Sequence, residues 1–481
     1  MPGVKRGSEK KRGAVNVLVE ALVEWSRKLR PACSRHRTFL WLLVVLIGFT
    51  VRPDLLGVTS FVRGLGLCEP CYDRMLDFLH SGALDVALLT RIWTKLVLSA
   101  HPGLLRFNGR VVIVGDGIKV AKSGRKMPGV KKLHQQSESN TKPSYIMGHS
   151  CQAVCVLASS LRSVVAIPLA ARIHEGLVFS NRDKRTLLDK MVILLGETGI
   201  DVPYYFVADA YYASRKIILP LLAAGNHLLT RAKSNAVGYL PAPAPETRRR
   251  GRPRKYGEKI ALKSLFDDSA AMDAVASPVY GESGVTLRVH SMDLLWRPVG
   301  VMVRFVAVTH PTRGKCILMC TDLELAPIEI IRLYGYRFKI EVTFKQALHV
   351  VGAFLHHFWM AAMTPIKRNG GNQHLHMETD DYRDKVRRKM QAYHRFMQVG
   401  LIAQGLMQVL ATTVPRLVWC SFGSWLRTVR PGICPSEMVV ATAMRNTLPD
   451  FLADDACAPC LTKFIRDRLD LKRAEGTRLV A

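Results

Sequence analysis

Long hydrophobic runs are missing from this sequence. The longest, Phe39–Phe49, has 11 residues, against the roughly 20 that a bilayer-spanning helix needs. Arg37 and Arg52 bound it, so a buried core helix is the expected reading. No small-residue cleavage site follows it, so a secretory signal is not expected. Acid is scarce as well: 38 Asp and Glu stand against 69 Lys and Arg, a formal charge of +31 over 481 residues. Charged residues are 22% and hydrophobic ones 48%, a composition that argues against wholesale disorder. A foldable chain with this excess of positive charge points to a polyanionic partner. Nucleic acid comes first and an anionic membrane second. Cysteine is unremarkable at 11 residues, and the odd number argues against a fully paired disulfide set. The CxxC pairs Cys68/Cys71 and Cys457/Cys460 allow a shared zinc site, but they lie far apart in sequence, and reduced thiols in a cytoplasmic protein are the expected reading.

What is present divides the chain. Residues 1–105 open on a basic tail holding Lys5, Arg6, Lys10, Lys11 and Arg12. They then read as helical, with apolar positions at helical spacing through Val15–Leu29 and Met75–Leu98. Such a region is either a basic DNA-binding module or packing for the rest of the protein. From residue 106 the pattern changes. Arg110–Asp116 is a β-branched run ending in aspartate, followed by a Lys-rich loop with Lys119, Lys122, Arg125 and Lys126. Tyr145–Leu157 and Ser163–Ile173 predict strands, Leu187–Leu195 a helix capped at Ser180 or Asn181, and Tyr204–Asp209 a further strand ending in aspartate. A helix from Tyr211 to Ala224 and a strand at His227–Arg231 complete the segment 106–231. Three strands, a helix, a strand, a helix and a strand match an RNase H-like α/β core. Asp116 and Asp209 fall at strand ends, where open α/β sheets present ligand groups.

Residues 232–325 combine a Pro-rich break, a basic cluster and strand-like runs, and predict a β insertion. The cluster contains Arg248, Arg249, Arg250, Arg252 and Arg254 around Gly251 and Pro253. It resembles an AT-hook core lying in a narrow minor groove, with a solvated basic linker as the plain alternative. Helical periodicity returns over 326–363, and residues 364–381 form a polar loop that opens a helical C-terminal region, 364–481.

Within 326–363, at 100° per residue, Tyr334, Arg337, Glu341 and Lys345 fall in one arc of about 80°. Leu333, Ile340, Phe344 and Ala347 make the neighbouring apolar stripe. Taken alone this is a solvated charged face. Joined to two strand-end aspartates, Glu341 completes the three carboxylates that two-metal phosphoryl chemistry uses, since Mg²⁺ takes hard oxygen ligands.

The order Asp116, Asp209, Glu341 resembles the DDE transposases of bacterial insertion sequences. The helix is similar to the IS4-like signature of Tyr, two residues, Arg, three residues, Glu, six residues, Lys. Tyr334, Arg337 and Glu341 fit it. Leu348 stands where the signature has lysine, and Lys345, one turn earlier on the same face, is the available substitute. The resemblance implies an RNase H-like catalytic core with a β insertion before the glutamate helix and helical flanks. It implies Mg²⁺-dependent cutting of double-stranded DNA at element ends, with Mn²⁺ as a substitute ion, and strand transfer to a target. Asp116 would bridge both ions, with Asp209 and Glu341 each holding one. Tyr334, Arg337 and Lys345 would face DNA phosphates, joined by Lys119 and Lys122 near the metals. A homodimer in the DNA complex and a bacterial, nucleoid-associated location in the cytoplasm follow from the same resemblance. A nuclease that does not join strands and a DNA-binding protein with a decayed centre are the readings from other classes.

Overall fold

The structure, a computed structural model, describes residues 17–135, 143–161, 163–244, 253–268, 270–423, 429–454, 456 and 458–472. Five helices come first: α1 (Val17–Arg27), α2 (His36–Val51), α3 (Thr59–Gly64), α4 (Cys71–His80) and α5 (Val86–Ala100). The apolar run lies in α2, where every residue from Phe39 to Val51 is buried. That is the burial expected of a helix hydrophobic on all sides. Met75–Leu98 is two helices, not one, because Ser81-Gly82 interrupts it and Asp85 starts α5 by accepting the Ala87 and Leu88 amides at 2.8 and 3.0 Å.

Strands β1 (Arg106–Phe107), β2 (Arg110–Ala121), β3 (Lys131–His134), β4 (Tyr145–Ser160), β5 (Ser163–Ile173) and β6 (Leu177–Val178) follow. Then come α6 (Leu187–Thr198), β7 (Tyr204–Val207), α7 (Arg215–Ala223) and β8 (His227–Ala232). Part of the sheet runs β5-β4-β2-β7-β8, with β4 antiparallel to β2 and with β7 and β8 parallel to it. Three local expectations change. Strand β2 does not stop at Asp116 but continues to Ala121 against β4, drawing Lys119 into the sheet. The start of α6 is fixed by Asp189, which accepts the Thr186 amide at 2.7 Å, in place of Ser180 or Asn181. The helix after Asp209 begins as a 3₁₀ turn, Ala210–Tyr212, and restarts at Ser214, the N-cap of α7.

Strands β9 (Val237–Pro241), β10 (Tyr256–Ala261), β11 (Asp273–Ala276), β12 (Thr286–Trp296), β13 (Val301–His310) and β14 (Gly314–Cys320) occupy the segment expected as an insertion. They do not form a separate sheet. Strand β14 pairs antiparallel with β8, so they extend the same sheet to 13 strands among the described residues.

The helix expected over 326–363 is shorter and broken. Helix α8 (Pro327–Tyr336) ends at a turn over Arg337 and Phe338, and α9 (Lys339–Gln346) passes into a π-helical turn, Ala347–Val351. Gly352 stops it at φ 70°, a left-handed conformation that glycine adopts without a Cβ clash. The buried guanidinium of Arg52 fills the space beside Gly352 and donates to the Val351 carbonyl.

After the short strand β15 (Gln373–His374), α10 (Asp380–Thr413) runs 34 residues through the core. It is long and apolar enough to cross a bilayer, but 94% of its apolar stretch is buried inside the protein. Helices α11 (Pro415–Phe422), α12 (Glu437–Ala453) and α13 (Pro459–Arg466) close the chain. The terminal helices pack together, with α2 and α12 against α10. Among the polar groups of α10 that enter this core, the Gln398 amide donates to the Leu169 carbonyl at 2.8 Å and accepts from Arg172 at 3.1 Å, whereas Oε1 of Gln404 and of Gln408 is buried without a partner. Each such bond is worth about 1 kcal/mol net, and leaving one unmade costs more.

Candidate functional site

The parallel pairing of β2 with β7 sets the first two carboxylates. Val114 lies opposite Val207, and Asp116 and Asp209 each follow two residues beyond that rung. Neighbouring strands are about 4.8 Å apart, so the two side chains leave adjacent backbone positions. The close approach needs Gly115, where a Cβ would lie 2.5 Å from the Phe206 ring. Asp209 is held where β7 ends. Its Oδ1 accepts the Tyr211 amide at 3.0 Å, and its backbone carbonyl accepts the Thr230 hydroxyl at 2.6 Å.

Glu341 arrives on α9, which buries Ile340, Thr343 and Phe344 and is fixed to β5 by Thr343 Oγ1 donating to the Ala166 carbonyl at 2.8 Å. The break between α8 and α9 leaves the phase of the charged face intact, because Arg337 and Phe338 keep helical dihedrals. Arg337 therefore donates through Nη2 to Glu341 Oε1 at 2.7 Å and through Nη1 to Asp116 Oδ2 at 3.2 Å. One guanidinium thus ties the first and third carboxylates together. Asp116 also accepts the Gly117 amide at 2.7 Å.

Burial is the largest cause pushing the Asp116 carboxyl up to about 6, with Asp209 and Glu341 adding to it and the Gly117 amide and Arg337 opposing. Burial raises Asp209 too, and Glu341 adds to that shift. Asp209 and Glu341 therefore lie close enough to Asp116 for their charge to act on it. Tyr334, half-buried on α8, has its phenol raised by burial, and it feels Arg337, Arg231 and Asp209. Lys345 is exposed one turn beyond Glu341.

The donor set fits a divalent cation. It consists of carboxylate oxygens, which are hard ligands, and burial raises the cost of the anionic forms of Asp116 and Asp209, which nearby positive charge lowers. As the side chains stand, that charge is supplied by Arg337, and among the described residues no three His, Cys, Asp or Glu side chains form a ready-made metal cluster. The CxxC expectation gains nothing from the structure: Cys68 and Cys71 face each other at 3.6 Å between sulfurs, and Cys457 lies outside the described residues.

The expected DNA-facing residues divide. Lys119 is exposed, its Nζ donating to the His134 carbonyl at 2.5 Å. Lys122 is not available to DNA in this structure. It is buried, donates to the Phe354 and His356 carbonyls at 2.6 and 2.9 Å, and is pushed down to about 7 by burial. Arg254 is exposed. Arg248, Arg249, Arg250 and Arg252 lie outside the described residues. His149 is a core histidine hydrogen-bonded to the Pro128 carbonyl at 2.9 Å. His356 stacks on Tyr393, while Trp359 is 67% exposed. Tyr212 is buried, its hydroxyl accepting from Gln152 at 3.1 Å, whereas Tyr211 is exposed. Sequence reasoning missed Thr230 and Gln152, because their partners, Asp209 and Tyr212, lie in the turn after β7 and no local pattern marks them.

No curated protein matches the chain. Among solved structures, the piggyBac transposase synaptic complex with hairpin DNA is similar at 13% identity and a TM-score of 0.34, covering 94% of this chain and 81% of that one. A likeness that low carries no argument. The model of a family described as DDE superfamily endonuclease matches residues 29–290, a span that takes in Asp116, Asp209 and more than half of the sequence. The chain belongs to the DDE superfamily endonuclease family.

Proposed function

We propose that the protein is a DNA transposase, similar to the IS4-like group, that cuts the ends of a bacterial insertion sequence and joins them to target DNA. The observation that carries this reading is the single guanidinium shared by Asp116 and Glu341 beside Asp209. The strand order β5-β4-β2-β7-β8, with β2, β7 and β8 parallel, supports an RNase H-like core built from 106–231 and 326–363. In this reading 232–325 is an inserted segment, and helical regions 1–105 and 364–481 flank the core.

Asp116, Asp209 and Glu341 would hold a pair of divalent ions, Mg²⁺ with Mn²⁺ as a substitute. When bound, the pair supplies activation of the attacking oxygen and stabilisation of the leaving one. Asp116, on which both Asp209 and Glu341 act, would be the ligand common to the two ions. Arg337, once the carboxylates are otherwise engaged, presents its planar N–H groups to the scissile phosphate. Tyr334 remains a neutral hydrogen-bond donor because burial raises its phenol. Lys345 supplies a point charge on the same face, in place of the lysine absent at Leu348. Lys119 and Arg254, with Arg248, Arg249, Arg250 and Arg252, hold phosphates of the duplex. A homodimer engaging two ends, in the bacterial nucleoid, completes the reading.

The test uses labelled duplexes from both flanks of the coding sequence, a target plasmid, and Mg²⁺ or Mn²⁺. Cutting followed by covalent joining is expected. A protein that cuts those duplexes and never joins them is a nuclease, and the transposase reading then falls.

A further inference from the structure

A second basic feature lies directly beside the carboxylates, and no sequence run marks it. A cleft of about 790 Å³ begins at Ala210, the residue after Asp209, and is lined from three separate segments. Arg231 and Lys233 come from the end of β8 and the turn after it, Lys263 and Phe266 from the 3₁₀ segment Leu262–Phe266, and Lys315 from the start of β14. All four cations are exposed. One carboxylate, Asp267, lines the same cleft, and among the described residues none of the four cations is ion-paired. Lys315 sits over the Phe266 ring at 5.1 Å.

Four cations gathered around a single carboxylate repel one another, and a polyanion relieves that repulsion. An aromatic ring among them narrows the choice of polyanion. Bases in a duplex are stacked on each other and offer no face to a side chain, whereas an unpaired base stacks readily on an aromatic ring. The cleft also adjoins the carboxylate site through Ala210. Thr230, the residue before Arg231, is hydrogen-bonded to the Asp209 carbonyl, and the Tyr334 phenol feels both Asp209 and Arg231.

We propose that this cleft binds a short unpaired stretch of DNA adjoining the strand at the carboxylates, with Arg231, Lys233, Lys263 and Lys315 on its phosphates and Phe266 against a base. The proposal rests on the reading of the carboxylate site as a DNA-cutting centre. It adds the state of the substrate: a duplex opened on one side of the cut.

The test is fluorescence anisotropy in EDTA, so that cutting plays no part. The probes are a blunt duplex and the same duplex with a single-stranded overhang. Lys263→Ala/Lys315→Ala should bind the overhang probe at least tenfold more weakly, change blunt-duplex binding less than twofold, and lower the salt slope on the overhang probe by about 1.4, at about 0.7 for each single-strand phosphate no longer neutralised. Phe266→Ala should also weaken overhang binding about tenfold and leave the slope unchanged. Arg182→Ala/Lys184→Ala, which removes two exposed cations elsewhere, should change neither probe. Equal losses on both probes, or overhang binding untouched by the cleft variants, overturn the proposal. If in the latter case the wild-type protein still cuts duplex DNA in Mg²⁺, the DNA-cutting reading stands without it. A wild-type protein that binds neither probe removes both.

Discussion

Arg337 Nη1 lies 3.2 Å from Asp116 Oδ2, joining residues 221 positions apart in the chain. The guanidinium is 19% exposed and also holds Glu341, so it supplies positive charge to a site that otherwise contains three acids. Replacing it by alanine should destabilise the metal-free protein by about 1.5–3 kcal/mol, the usual value of hydrogen bonds to charged groups. The same variant should gain more thermal stability than the wild type on adding MgCl₂ or MnCl₂, because its carboxylates no longer have an internal cation. Thermal melts with and without the ions check both statements. Identical ion-induced shifts would show that Arg337 does not compete with the metal.

Glu341→Gln keeps the shape of the side chain and removes its charge. The group is 55% exposed, so stability should change by less than about 1 kcal/mol, while cutting in Mg²⁺ should fall by several orders of magnitude with DNA binding retained. Cleavage at the wild-type rate would show that the third carboxylate lies elsewhere.

Lys122 gives a pH signature independent of the site chemistry. Its folded value, about 7, lies below the ordinary lysine value of about 10.4. Between those limits the unfolded chain binds more protons than the folded one, so stability rises with pH from about 7 towards 10, by at most about 1.4 kcal/mol per pH unit. Urea unfolding at several pH values should show this rise in the wild type and a flatter profile in Lys122→Met. Equal slopes would mean that Lys122 titrates normally.

Arg248→Ala/Arg249→Ala/Arg250→Ala should weaken binding to every duplex sequence alike and reduce the salt slope by up to about 2.7, at about 0.9 for each duplex phosphate no longer neutralised. A slope equal to the wild type would remove these three arginines from the interface.

Much of the core was legible because its strands are apolar runs bounded by turn residues. The strand expected at Ser163–Ile173 and the adjacency of Asp116 and Asp209 both depend on local pattern plus sheet geometry. What stayed hidden depends on distant partners. Lys122 sits in a Lys-rich stretch and looks solvated, yet its ammonium is held by carbonyls more than 230 positions away. Strands β9 and β10 are short and, apart from Gly238, none of their residues is fully buried, so no apolar alternation announced them. The turn at Arg337–Phe338 escaped notice because both residues keep helical dihedrals, and the charged face looks the same with or without it. The cleft cations come from three segments, so no single window of sequence holds them.

Because β14 completes the hydrogen bonding of β8, the chain should resist trimming to a minimal nuclease. Excising 237–320 would strip one side of β8 and leave a bare row of amides and carbonyls next to Asp209, an invitation to intermolecular pairing. The appended strands therefore act as a guard on β8, the neighbour of the strand that leads to the second carboxylate.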